Sequence, residues 1–192
     1  MKSIVTSLLI GITTFLSVQV QAQTAEELKA EREQLQTELK SKETVSREEK
    51  LEKLQEKSPS ASGLQSIDGL AKTSTGILTT IKSANGVLSK YKTELKDNGN
   101  GEIDVTIHKA KLNDYVSLAS ELASTTLMIS SATEQLKDAQ SDAKNLSPLK
   151  ARPALSSISY SKDALKLSGE EVSFQMKLVK NLIATIKASG NN

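Results

Sequence analysis

Three acidic side chains, Glu134, Asp138 and Asp142, recur at four-residue spacing, which stacks their carboxylates on one face of a helix. Adjacent acids occur again at Glu26-Glu27, Glu48-Glu49 and Glu170-Glu171. Paired carboxylates can hold a divalent cation or pass a proton. A di-metal site in a helical bundle, however, takes its carboxylates from the inner stripe and adds a Glu-x-x-His pair. The only histidine, His108, stands instead beside Lys109, Lys111 and a loop. A ferritin-like centre is thereby excluded. The acidic stack reads as a solvated face and His108 as an exposed residue near a helix start. With no Cys and one His in 192 residues, thiol nucleophiles, zinc and iron–sulfur sites, haem, Ser–His triads and disulfides are excluded as well. No catalytic, cofactor-binding or metal-binding residue is assigned, and no small-molecule substrate is evident.

The turn Lys96-Asp97-Asn98-Gly99-Asn100-Gly101-Glu102-Ile103-Asp104 resembles the start of a calcium-binding EF-hand loop. The likeness then fails. With Gly101 at the sixth position the first ligand would be Lys96 and the twelfth Ile107, so both anchoring carboxylates are missing. An ordinary Asx-Gly turn is expected here. Gly99 and Gly101 also fit neither nucleotide-binding fingerprint. Aromatic chemistry is scarce, with no Trp, two Phe and three Tyr. Tyr91, Tyr115 and Phe174 fall on apolar stripes and read as core, whereas Tyr160 lies off its stripe and reads as exposed.

These residues need elements to hold them, and the spacing of the apolar residues predicts helices. Residues 24–57 carry 18 charges in 34 positions, 8 basic and 10 acidic. Thr24-Ala25-Glu26-Glu27 is a capping box that starts a helix, and Ser46-Arg47-Glu48-Glu49 repeats the signal, predicting a break near 41–45. This coiled-coil-like arm reads first as a solvated, salt-bridge-laced helix, and in the alternative Leu28, Leu35, Leu39, Leu51 and Leu54 form a thin seam that a partner helix completes. Ser58-Pro59 is read as the start of the next helix, whose stripe is Ile67, Leu70, Ile77, Ile81, Ala84, Leu88, Tyr91 and Leu95. Gly69, Gly76 and Gly86 inside it predict close packing or looseness. Ile103, Val105 and Ile107 alternate with polar residues as in a short strand. A third element carries Tyr115, Leu122, Ile129, Leu136 and Ala143. Residues 145–152 read as a loop, after which Pro153 starts a helix carrying Ile158, Leu165, Val172, Val179 and Ile186, with a kink expected at Ser168-Gly169.

The expected fold is therefore all-α: an elongated antiparallel bundle of three long helices over 58–192, with a charged helical arm over 23–57. Residues 1–22 read as a secretory signal peptide, with Lys2 ahead of an apolar stretch and Val20-Gln21-Ala22 at its end; cleavage is expected after Ala22. The destination is then the periplasm or the cell exterior. Removing Lys2 leaves 24 basic and 23 acidic residues, a net of +1, which offers no footprint for nucleic acid. The longest later apolar run is Leu127-Met128-Ile129, so membrane contact would need rearrangement. What remains is an exported, non-enzymatic interaction or scaffold protein, acting through its long helical faces and charged arm on another protein or on itself. The alternative is a secreted membrane-active protein, by analogy of architecture with helical pore-formers.

Overall fold

In a computed structural model, residues 23–190 are described apart from 58, 60 and 145. The expected leader, its cleavage point and Ser58 lie outside the described residues. The chain is all-helical, six helices packed together, with no strand among the described residues.

Helix α1, Ala25–Lys40, opens on the expected capping box: Thr24 N–H donates to Glu27 Oε2 (2.8 Å) and Glu27 N–H to Thr24 Oγ1 (3.2 Å). It ends at Ser41, whose extended backbone (φ −66°, ψ 149°) closes α1 and whose hydroxyl accepts from Thr44 N–H to open α2, Lys42–Gln55. The break falls within the expected stretch. Its cap is Ser41, however, and Ser46 lies inside α2.

Helix α3, Gln65–Asp97, begins six residues after Pro59, so the Ser58-Pro59 start is corrected. Asp68 explains the delay. Its carboxylate accepts from Ser62 N–H, Ser62 Oγ–H and Gly63 N–H (2.8, 2.8 and 3.1 Å), tying the incoming chain into a loop outside the first turn. Gly69, Gly76 and Gly86 have no atom within 4 Å of where a Cβ would stand, so they mark no close approach.

A 3-10 turn over Gly99–Gly101 reverses the chain, with Asn100 and Gly101 both at φ 62°. The expected strand at 103–107 is replaced by helix α4, Val105–Lys109. Asp104 accepts from Thr106 N–H (3.0 Å) and so starts a helix where three alternating residues suggested extension. Helix α5 spans Leu112–Ala143 and helix α6 Pro148–Ser189. Pro148 takes the first position of α6, which begins five residues earlier than expected; Pro153 sits inside it, and the helix runs unbroken through Gly169.

Cross-helix bonds give the register. Ser66, early in α3, donates to Asp142, late in α5, while Glu94, late in α3, meets His108 just ahead of α5. Along α6, Tyr160 pairs with Thr75, Gln175 with Asn85 and Asn181 with Tyr91, in the same chain order as α3. The core lies between α3, α5 and α6, from Ile67 and Leu70 to Tyr91 and Leu95 on α3, each at most 1% exposed. Each such buried Leu or Ile contributes about 1.5–3 kcal/mol by leaving water.

Candidate functional site

Helices α1 and α2 lie against α3 and α6. The five leucines of the seam, Leu28, Leu35, Leu39, Leu51 and Leu54, are all buried, and this chain's own helices complete it. The charges of the segment divide accordingly. Glu26, Glu27, Glu33, Lys40, Glu49 and Lys53 are exposed, while others turn inward and form polar contacts with the remaining helices.

Two groups of contacts hold this segment. At one end, buried Arg32 donates from Nε to Gly101 O (2.6 Å) and from Nη1 to Thr185 Oγ1 (2.7 Å), and burial lowers its pKa. Gln36 Nε2 donates to Leu95 O and Asn98 O (2.5 and 2.7 Å), and Asn181 Nδ2 to Leu28 O (3.1 Å). Tyr91 Oη donates to Asn181 Oδ1 (2.8 Å), and burial raises the phenol's pKa well above its ordinary value.

Further along lies a buried ionic cluster. Glu171, fully buried, accepts from Arg47 Nε (2.9 Å) and faces Lys92 Nζ (3.4 Å). Lys92 also reaches Glu48 (2.8 Å) and Asn85 (2.7 Å). Arg47 and Lys92 both stand over the Phe174 ring, 5.6 and 5.8 Å from its centroid. One α6 acid thus holds a cation from α2 and another from α3. The sequence marked Glu171 only as half of a surface acid pair. Its partner Glu170 is exposed, so the pair straddles the edge of the helix's inner face.

His108 is corrected too. It is 0% exposed; its Nε2 lies 2.9 Å from Glu94 Oε2 and its Nδ1 2.8 Å from Tyr115 Oη, with the Tyr91 ring edge-on at 5.8 Å. Burial raises the Tyr115 pKa. The triad spans α3, α4 and α5 and pins the short connector helix to its neighbours. Tyr160, expected outside, is buried and bonded to Thr75 Oγ1 (3.0 Å). Tyr91, Tyr115 and Phe174 are core, where their stripes put them.

Glu134, Asp138 and Asp142 are exposed along α5, and Asp142 accepts from Ser66 Oγ–H (2.9 Å). None takes part in the ion pairs above. Among the described residues no group of three His, Cys, Asp or Glu side chains suits a metal ion, and no helix is long and apolar enough to cross a membrane. The outer side of α5 combines exposed apolar side chains with a stretch free of charge. Val116, Leu127 and Met128 are 47%, 65% and 46% exposed, and residues 122–133 carry no charge at all. The sequence showed this region only as its longest apolar run. No family model, curated protein or solved structure matches the chain.

Proposed function

We propose that this chain is an exported, non-enzymatic interaction protein: an elongated antiparallel bundle of three long helices, with its charged N-terminal helices laid along it, that binds protein through its long faces. The observation that carries the reading is the outer side of α5, where Leu127 and Met128 stand in water within the uncharged stretch 122–133, whose other exposed residues are Ser and Ala. Exposed apolar side chains are ordinary one by one, and what favours a docking surface here is that two adjacent large ones stand exposed within a stretch that carries no charge. The register of the cross-helix bonds supports the bundle geometry, and the inward leucines support α1 and α2 as buttresses whose solvated charges keep that side in water. The apolar leader of residues 1–22 supports export.

The test is co-purification from envelope and medium fractions, comparing the tagged chain with a variant carrying Val116→Glu, Leu127→Glu and Met128→Glu. Deleting residues 23–57 is not a clean comparison, because it uncovers apolar surface on α3 and α6. Protein recovered with the parent chain and lost with the variant fits the reading. Equal recovery with both overturns α5 as the binding face.

A further inference from the structure

Helices α2 and α3 leave a polar groove between them, a space of about 580 Å³ to which α5 contributes no residue. Glu48, Glu52 and Glu56 line one wall at four-residue spacing, and Lys82, Lys92 and Lys96 line the other. Only one pair closes across it. Lys92, buried at the base, reaches Glu48 at 2.8 Å, whereas Glu52, Glu56, Lys82 and Lys96 are exposed and have no ion-pair partner among the described residues.

The two helices run in opposite directions, since Glu48 meets Lys92 while Gln55 Nε2 donates to Leu78 O (3.1 Å). Glu52 and Glu56 therefore stand toward the Lys82 end of the groove, and Lys96 stands beyond the closed pair at the other end. One end holds two carboxylates against one ammonium, and the other an ammonium with no acid left over. The groove is dipolar. A polyanion would meet the acids and a polyamine would meet Lys96, so a molecule with opposite charges at its two ends suits it best.

Between the ends runs a row of hydrogen-bonding groups. Asn85, Ser89 and Thr93 line the groove at four-residue spacing, about 6 Å apart along α3, which is close to the rise of two residues in an extended chain, about 6.6–7.2 Å. Asn85 Oδ1 accepts from Lys92 Nζ (2.7 Å) and Gln175 Nε2 (3.0 Å), which fixes the amide and leaves Nδ2 without a partner among the described residues. Ser89 Oγ–H donates to Gly86 O (2.8 Å) and Thr93 Oγ1–H to Ser89 O (3.0 Å), so both oxygens are left to accept. An amide donor and two hydroxyl acceptors at this repeat match the C=O and N–H groups of an extended backbone. Length agrees as well. Lys82 and Lys96 are about 21 Å apart along the helix, and five extended residues reach about 17–18 Å, the Lys and Glu side chains supplying the rest.

We propose that the groove between α2 and α3 binds a free peptide of about five residues in extended form, its C-terminal carboxylate at Lys96 and its N-terminal ammonium at Glu52 and Glu56. Both free termini are required, which sets such a peptide apart from a segment within a longer chain. The site goes beyond the reading of α5 as a docking face and does not depend on it.

Calorimetric titration of the purified chain with pentaalanine tests it, because that probe offers the backbone and both termini without side-chain preference. One-to-one binding is expected, and amidating the C-terminus or acetylating the N-terminus should each weaken it about fivefold. Lys96→Gln should weaken binding of the free peptide by the same factor and leave the amidated one unaffected. Glu52→Gln/Glu56→Gln should likewise weaken the free peptide and leave the acetylated one unaffected. All three positions are exposed, so the circular dichroism spectrum and melting curve of these variants should match the parent's. No binding up to about 10 mM, equal binding of free and blocked peptides, or a Lys96→Gln effect that is cancelled by acetylation instead overturns the proposal. The α5 variant with Val116→Glu, Leu127→Glu and Met128→Glu should bind pentaalanine as the parent does; a loss there would move the site off the groove and overturn it too. A chain that binds peptide yet recovers no protein in co-purification keeps this proposal and loses the α5 reading, and one that recovers protein but binds no peptide does the reverse.

Discussion

The side of the molecule covered by α1 and α2 and the outer side of α5 invert the usual link between charge and exposure. The first is built from the most charged stretch of the chain, yet Arg32 is buried and the side chains of Arg47, Lys92 and Glu171 at this interface are at most about a tenth exposed. The second has no charge over residues 122–133 and leaves Leu127 65% exposed. Charge density on a helix therefore does not tell which side meets water. What decides is whether each inward charge meets an opposite charge or a carbonyl across the interface, because a buried ion is tolerated only when paired and hydrogen-bonded.

The sharpest way to break this contrast is Glu171→Ala, which leaves Arg47 and Lys92 facing Phe174 without their shared counter-ion. A loss of about 3–5 kcal/mol is expected in urea unfolding; a loss below about 1 kcal/mol would show the cluster to be no tighter than a surface pair. Next comes a matched pair of truncations. Leu39→Ala, at a fully buried position on the inner side of α1, should cost about 2–5 kcal/mol, whereas Leu127→Ala should change monomer stability by no more than about 0.5 kcal/mol. Equal effects would erase the distinction between the two sides.

Smaller is the effect at the turn that α1 clamps. Gly101 has φ 62°, and a Cβ there would stand 3.1 Å from Lys29 O and from Arg32 Cβ. Gly101→Ala should cost at least the roughly 1–2 kcal/mol of a left-handed non-glycine residue, seen as a lowered Tm. Smallest is the pH response at the start of α3. Hydrogen bonds from Ser62 and Gly63 lower the Asp68 pKa below its ordinary 3.8. The depressed value makes its contribution complete above pH 3.8 and lost as the pH falls through the native pKa. Asp68→Asn should therefore lower stability slightly at neutral pH, with the difference from the parent chain vanishing as the pH falls through the native Asp68 pKa. An unaltered acid limb would take the latch out of the account.

Much of the helical frame was legible, because Ile67, Ile81, Leu88 and Leu95, or Leu165, Val172, Val179 and Ile186, repeat at the spacing that brings one face of a helix to a core. Helix starts were less so. Ser41 caps α2 although Ser46 has the better capping-box pattern, and Pro148 opens α6 although Pro153 has the same credentials, because tertiary packing chose between locally equivalent signals. The polar interior was hidden for a different reason. His108, Glu171 and Tyr160 look like surface residues in sequence, and only partners far along the chain make their burial tolerable: Glu94 and Tyr115 for the first, Arg47 and Lys92 for the second, Thr75 for the third. The α5 face went unmarked because reading by stripes finds what points inward. Leu127 belongs to no stripe, and its isolation on the outside shows only once α3 and α6 occupy the other side.

The clamp between Arg32 and Thr185 has a consequence in time. Its two ends, like those of the Asn181–Leu28 bond, are separated by 153 residues. At a synthesis rate of about 5–20 residues per second, α1 waits on the order of ten seconds or more before α6 exists. Until then only α2 and α3 are there for its leucines to pack against. A chain delivered in this order begins life with this seam only partly covered and closes it with α6, so whatever escorts the nascent chain meets a surface that the finished molecule no longer displays.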